Sequence, residues 1–140
     1  VVKQGIAAAA GAYYRGTALD DSVFTVYGAP RGEAGREEIE KAVDGEIEKL
    51  ARDGVTEDEL EAARNRFLRS MIFARDSQSG MARIYGSTLT TGGRVEDVAG
   101  WPERLKAVTA DDIKTAAANY LDFRRAVTGY LSPTPEEDRT

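Results

Sequence analysis

The chain has 140 residues, with 19 Lys and Arg against 24 Asp and Glu, which gives a net charge of -5. This length is typical of one domain or part of one, and an acidic chain without a basic block argues against a nucleic-acid surface. Because the sequence contains no cysteine and no histidine, it cannot by itself form a disulfide, a cysteine nucleophile, an imidazole-bound zinc site or a serine–histidine triad.

Other features of the sequence narrow the class further. No stretch approaches the roughly 20 apolar residues of a membrane span, so we expect no transmembrane helix. A carboxylate-only site for magnesium or glycoside chemistry stays formally open, although the acidic residues lie mainly at solvent-facing helix spacing. The sequence begins at Val1 and not at Met, and we therefore expect it to be the processed part of a longer protein, with about 300 residues before it.

The sequence predicts extended structure in the first zone of the chain, residues 5–27. Two segments, 5–15 and 22–27, are separated by the turn-rich loop 16–21, and Val23–Tyr27 is rich in β-branched and aromatic residues. The run Ala7–Ala10 favours a helix by propensity, but the glycines that bracket it and the tyrosine pair that follows favour a strand. Small strand residues leave room for another backbone or a ligand; the alternative is that these alanines pack beneath a helix.

A near-repeated phrase predicts two helix starts. Thr56 with Glu59, and Thr109 with Asp112, each combine a hydroxyl residue with an acidic residue three positions later, which is the pattern of a capping box. Before the first box, an apolar stripe predicts a helix over 33–52. Since the loop between this helix and the next is short, we expect the two to form an antiparallel helical hairpin.

The helical zone continues to about residue 120. We expect Arg64, Arg66 and Arg69 to form the solvated face of the helix that follows Thr56, and Trp101 to be an anchor in the core. Further helices are predicted over 78–89, 95–100 and 102–107, followed by the helix capped by Thr109.

The final zone is predicted to be one strand, over 125–131, with a stop at Ser132-Pro133. The order of strand, strand, several helices and strand predicts an α+β fold, with helices packed on one face of a mostly antiparallel sheet. A three-stranded sheet leaves an open edge, so we expect the domain, residues 1–133, to lack its first strand and helix. Residues 134–140 are expected to be a polar tail.

Several phrases, in this order and spacing, resemble the C-terminal domain of the pitrilysin/insulinase zinc metallopeptidases. The resemblance is greatest to short bacterial members related to mitochondrial processing peptidase, and it spans about residues 3–133. The phrases that carry it are Gly54-Val55-Thr56-x-x-Glu59-Leu60-x-x-Ala63, residues 87–92, Trp101-Pro102-Glu103-Arg104-Leu105, Val108-Thr109-x-x-Asp112-Ile113 and Thr128-Gly129-Tyr130-Leu131-Ser132-Pro133.

This resemblance implies a split ferredoxin-like α+β domain within a clamshell that closes around an unfolded peptide. In the family, zinc is held by an inverted His-x-x-Glu-His motif in the N-terminal domain of the catalytic half. A chain without histidine carries neither that motif nor the metal, so zinc and peptide-bond hydrolysis are expected in an N-terminal catalytic domain or a partner subunit. The resemblance also implies an unfolded peptide as substrate, dimer formation, and a periplasmic or secreted location.

The family also grips its substrate with an Arg and a Tyr, and this sequence departs from that pattern. Ala8 stands where the Tyr would fall, after Gly5-Ile6-Ala7, and the matching Arg would lie before Val1. We therefore expect contact with substrate through the first strand, to whose edge an extended peptide can add by main-chain hydrogen bonds. The candidate substrate-facing residues are Ala8, Ala10, Tyr13, Tyr14 and Arg15.

Two alternatives stay open at this point. One is a scaffold subunit, built like the core-type relatives of processing peptidase but without peptidase activity; the presence or absence of His-x-x-Glu-His upstream decides between the two. The other is an unrelated α+β binding module, which predicts a stable monomer without affinity for unfolded peptides.

Overall fold

The structure is a computed structural model that describes residues 5–132. Within this range the chain forms two strands, six α-helices and one 3-10 turn. The elements are β1 (Ala7–Tyr14), β2 (Phe24–Pro30), α1 (Arg36–Asp53), α2 (Glu57–Arg75), α3 (Gln78–Thr90), α4 (Val95–Ala99), α5 (Trp101–Ala107), α6 (Ala110–Tyr120) and the 3-10 turn Phe123–Arg125.

Strands β1 and β2 form an antiparallel hairpin, as predicted. Gly11 pairs with Tyr27 and Tyr14 pairs with Phe24, and the register shifts at a bulge between Ala7 and Ala9. The alanine run is therefore a strand despite its helix propensity, because pairing with β2 satisfies its main chain in the extended form. Ala7 is buried while the next three alanines are exposed, so the alternative of alanines packed beneath a helix is wrong for Ala8, Ala9 and Ala10.

Both predicted helix starts are confirmed. The Thr56 hydroxyl accepts a hydrogen bond from the Glu59 N–H at 3.2 Å, and the Glu59 carboxylate accepts from the Thr56 N–H at 2.9 Å. Thr109 and Asp112 repeat the arrangement at 3.1 and 2.9 Å. Each box satisfies two main-chain donors that a helix start would otherwise leave unpaired.

The predicted helical hairpin of α1 and α2 is wrong. Helix α1 packs on β2 and α6, whereas α2 packs against α3 and α5. Gly54, at φ +76°, ends α1, and a Cβ placed on it would lie 3.2 Å from Lys114 on α6. Because α6 already occupies the side of α1 next to the loop, α2 leads away into a second group of helices.

Arg64 does not belong to a solvated face. Its half-buried guanidinium donates to the Leu105 carbonyl at 3.3 Å and to the Val108 carbonyl at 2.7 Å. Carbonyls at the end of a helix lack intrahelical partners, so Arg64 ties α2 to the end of α5.

Trp101 contacts Phe67 with ring centroids 5.1 Å apart but is about half exposed, so it is not the core anchor expected.

The predicted third strand is also wrong within the described residues. The Asp122 carboxylate accepts from the Arg124 N–H at 3.0 Å and pairs with its guanidinium at 2.7 Å, and this fixes a 3-10 turn where the strand was expected to start. Farther on, the Tyr130 hydroxyl donates to Glu40, and Arg36 lies 5.2 Å from the Tyr130 ring centroid. These contacts hold the segment against α1 and not against the sheet.

The α+β class is nevertheless confirmed, with α1 packed on an antiparallel hairpin. The predicted tail at 134–140, and the boundary before it, lie outside the described residues. None of the helices between residues 5 and 132 is both long and apolar enough to span a bilayer.

The hydrophobic core is small for a chain of this size. In the described part, the buried apolar residues are Ala7, Ile39, Leu60 and Ala117. The whole chain exposes 11355 Å², whereas a compact monomer of this mass exposes about 7,100 Å². Even fully extended, the residues outside the described range would add only about 2,000 Å². Surface that a self-contained domain would bury is therefore open.

Candidate functional site

The main feature of the site is an open main-chain edge on β1. In the described part of the chain, β1 has a partner on one side only. The Arg15 N–H donates to the Val23 carbonyl at 3.3 Å, and residues of an antiparallel pair alternate between bonding to the partner and facing away from it. It follows that the N–H and C=O groups of Ala10, Ala12 and Tyr14 face away from β2.

The two faces of the hairpin differ in what covers them. A Cβ placed on Gly28 would lie 2.6 Å from Cγ2 of Ile39, so Gly28 and its pairing partner Ala10 lie on the face against which α1 packs. Gly11 and Tyr27 lie on the opposite face, because successive residues of a strand point to opposite sides. Helix α1 therefore supports the hairpin from one side and leaves the other face available.

On that other face, the Tyr27 side chain lies across β1. A Cβ placed on Gly11 would be 2.6 Å from the Tyr27 hydroxyl and 2.7 to 2.8 Å from two ring carbons. The side chain is 53% exposed, and its hydroxyl has no hydrogen-bond partner among residues 5–132. The sequence prediction missed this residue, because only the register of the two strands shows that Tyr27 lies opposite a glycine.

The five predicted substrate-facing residues form a row along one strand and do not converge on a pocket. Ala8 lies at the bulge, and Ala10 presents its main chain to the open edge. Tyr13 and Tyr14 are exposed on opposite faces near the end of the hairpin, and Arg15 follows the strand. Such a row suits an extended ligand better than a compact one.

Apart from the hairpin, α1 carries a cluster of acidic side chains. Its residues Glu37, Glu40, Asp44 and Glu48 line a shallow depression. Partial burial and the charges of Glu40 and Glu48 raise the pKa of Asp44. Over residues 5–132, no three His, Cys, Asp or Glu side chains are grouped so that they could hold a metal ion, so we assign no metal site to this face.

The family model of the peptidase M16 inactive domain matches residues 1–67. This range includes β1, β2, α1 and the first half of α2. It therefore contains the hairpin, its supporting helix and the open edge. No curated protein matches the sequence.

Solved structures show the same fold. The inactive peptidase domain of a proposed zinc protease from Bordetella parapertussis has a TM-score of 0.78 at 17% identity, covering 100% of this chain and 75% of that one. A proposed zinc protease from Bordetella pertussis Tohama I has a TM-score of 0.78 at 18% identity, covering 96% and 73%. A protease from Helicobacter pylori has a TM-score of 0.74 at 17% identity over 86% of this chain, which spans 29% of that protein.

Proposed function

Because the model of the peptidase M16 inactive domain matches residues 1–67, we propose that this chain is an inactive-type domain of that family and forms part of the wall of a peptidase chamber. The zinc and the hydrolysis belong to a separate catalytic domain or partner subunit of the same assembly. In support of this division, the sequence has no histidine, and its described acidic side chains form no metal-binding group.

The observation that carries the proposal is the open edge of β1. An extended peptide can add to such an edge as a further strand, held by its main chain. Ala10, Ala12 and Tyr14 offer outward N–H and C=O groups, and each hydrogen bond formed contributes about 0.5–1.5 kcal/mol. Because these bonds do not depend on the side chains of the peptide, the edge suits a chamber that accepts unfolded chains of varied sequence.

The exposed area supports a permanent domain partner as well. The surface in excess of a compact monomer, after allowance for the chain termini, is of the order of 2,000 Å². Obligate interfaces bury about 2,000 Å² or more in total. We therefore propose that a catalytic domain or partner subunit covers much of this surface. Dimer formation and a periplasmic or secreted location are also proposals, which light scattering and cell fractionation would test.

A scaffold subunit is the second candidate function. The same excess of exposed surface could bind other subunits in a stable complex that never takes up a peptide. The presence of His-x-x-Glu-His in the assembled protein favours the peptidase, and its absence from every partner favours the scaffold. The match of residues 1–67 to the peptidase M16 inactive domain argues against the third alternative, an unrelated binding module.

The proposed function is tested by blocking the edge. In the protein assembled with its catalytic domain, Ala10→Pro removes one outward N–H while leaving the bonds to β2 in place. Peptide cleavage should fall about tenfold or more in kcat/KM, because one edge bond and the strand geometry beside it are lost. Ala10→Val is the matched control, since it keeps the N–H and a strand-favouring side chain.

Thermal melts of both variants establish that they fold. A second variant, Ala12→Pro, blocks the same edge if Ala10→Pro does not fold. Unchanged cleavage by a folded edge-blocked variant would refute the edge as the peptide site.

A further inference from the structure

Tyr27 reaches over β1 toward the open edge. Its side chain starts on β2, and its hydroxyl is the atom nearest to the position that a Gly11 Cβ would take. Only the missing side chain at Gly11 lets the ring lie there. The hydroxyl is thus held above the strand to which the proposed peptide would add.

The geometry of strand addition places one peptide residue beside this hydroxyl. An added strand would lie about 4.8 Å from β1 and bond to the main chain of Ala10 and Ala12. The peptide residue opposite Gly11 would then lie between two hydrogen-bonded pairs, with its Cα about 4.5 Å away if the strands are antiparallel. Its side chain would point to the same face as the Tyr27 ring.

We propose that the Tyr27 hydroxyl determines specificity at this peptide position and favours a side chain that carries a hydroxyl or amide group. This inference rests on the proposed strand addition. A tyrosine hydroxyl both donates and accepts, and this one has no partner among the described residues. A Thr side chain can bond to it, whereas an isosteric Val covers it and leaves it unsatisfied, which is costly.

An aromatic ring that covers a cross-strand glycine also stabilises a sheet, which would be a purely structural role for Tyr27. Tyr27→Phe separates the two roles. It keeps the ring over Gly11 and removes only the hydroxyl. Tyr13→Phe is the matched control, because it removes a hydroxyl from the same face of β1 without touching the ring over Gly11.

The experiment measures the affinity of short, uncleaved peptides for the protein assembled with its catalytic domain. The peptides are identical except that Thr replaces Val at one position, which is moved along the sequence. At one position, the unmodified protein should bind the Thr peptide about tenfold more tightly than the Val peptide. Tyr27→Phe should reduce this ratio to about one, with an unchanged melting temperature, and Tyr13→Phe should preserve it.

Three results separate the possible failures. If no position discriminates Thr from Val, or if Tyr27→Phe keeps the preference, the hydroxyl does not select the residue and this inference is overturned. In that case, loss of binding in Ala10→Pro would still support the peptide edge. If Ala10→Pro folds and binds every peptide unchanged, the proposed function itself fails, and the inference fails with it.

Discussion

The hairpin and the helices α2 to α5 leave different kinds of surface open. At β1 the exposed groups are main-chain N–H and C=O groups along one edge. In the helical region they are large apolar side chains, and Ile72 and Phe73 on α2 are 63% and 73% exposed. Main-chain edges accept many extended sequences, whereas apolar helix surfaces suit a folded partner of complementary shape.

This difference suggests a division of roles within one small domain. The hairpin, supported by α1, which packs on α6 in turn, would take a succession of peptides. The helices α2 to α5, within which Arg64 ties α2 to the end of α5, would dock permanently against the rest of the assembly. Variants that weaken one region and spare the other would test the division.

The largest expected effect is in the helical region. Leu60 is buried at the start of α2, and Leu60→Ala should lower the free energy of unfolding by about 2–5 kcal/mol. Leu89→Ala, at a half-exposed position on α3, should lower it by less than about 1 kcal/mol. Denaturant unfolding of both variants measures the difference. Equal losses would show that Leu60 has no special place in the core.

Substitutions at the contact between the hairpin and α1 should have the next largest effect on the free energy of unfolding. A Cβ on Gly28 would lie 2.6 Å from the buried Ile39, so Gly28→Ala should lower the free energy of unfolding by about 1–3 kcal/mol. Gly45 lies within α1 with no atom near its Cβ position, and Gly45→Ala should raise it by about 0.5–1 kcal/mol. A thermal melt that shows the same sign for both would contradict this packing.

The smallest expected effect concerns the start of α6. Two hydrogen bonds lower the pKa of Asp112 below its usual 3.8: the one from the Thr109 side chain has the larger effect, and the one from the Thr109 N–H adds to it. A lowered folded-state pKa stabilises the fold above the unfolded-state value, and this contribution is lost as the pH falls through the folded-state pKa. Asp112→Asn should therefore flatten the acid limb of the curve of melting temperature against pH.

The matched control for this effect is Asp111→Asn, which removes a neighbouring charge but leaves the capping box intact. It should keep most of the acid dependence of the melting temperature. An acid limb that is the same in Asp112→Asn as in the unmodified chain would contradict the assignment of the cap.

Features that depend on a few neighbouring residues could be predicted from the sequence. The capping boxes of Thr56 and Thr109 are of this kind, since each involves residues three positions apart. The predicted third strand and the α1–α2 hairpin were wrong because both depend on pairing between distant segments. Strand propensity over 125–131 could not reveal that Tyr130 bonds to Glu40 on α1.

The candidate site divides in the same way. The small residues of the first strand indicated a surface open to another chain, and the structure places an unpartnered edge of the described sheet there. The position of Tyr27 over Gly11 depends on a register that only the folded hairpin sets. The role of Arg64 depends likewise on carbonyls more than 40 residues away in the sequence.

The most direct test of the peptide edge is residue-resolved amide hydrogen exchange by NMR, in the assembled protein, with and without an uncleaved extended peptide. If a peptide adds to β1, the N–H groups of Ala10, Ala12 and Tyr14, which face away from β2, should gain protection. Gly11 and Tyr13, whose N–H groups face β2, should change little. Peptide binding that leaves the exchange of all three outward amides unaltered would contradict strand addition at β1.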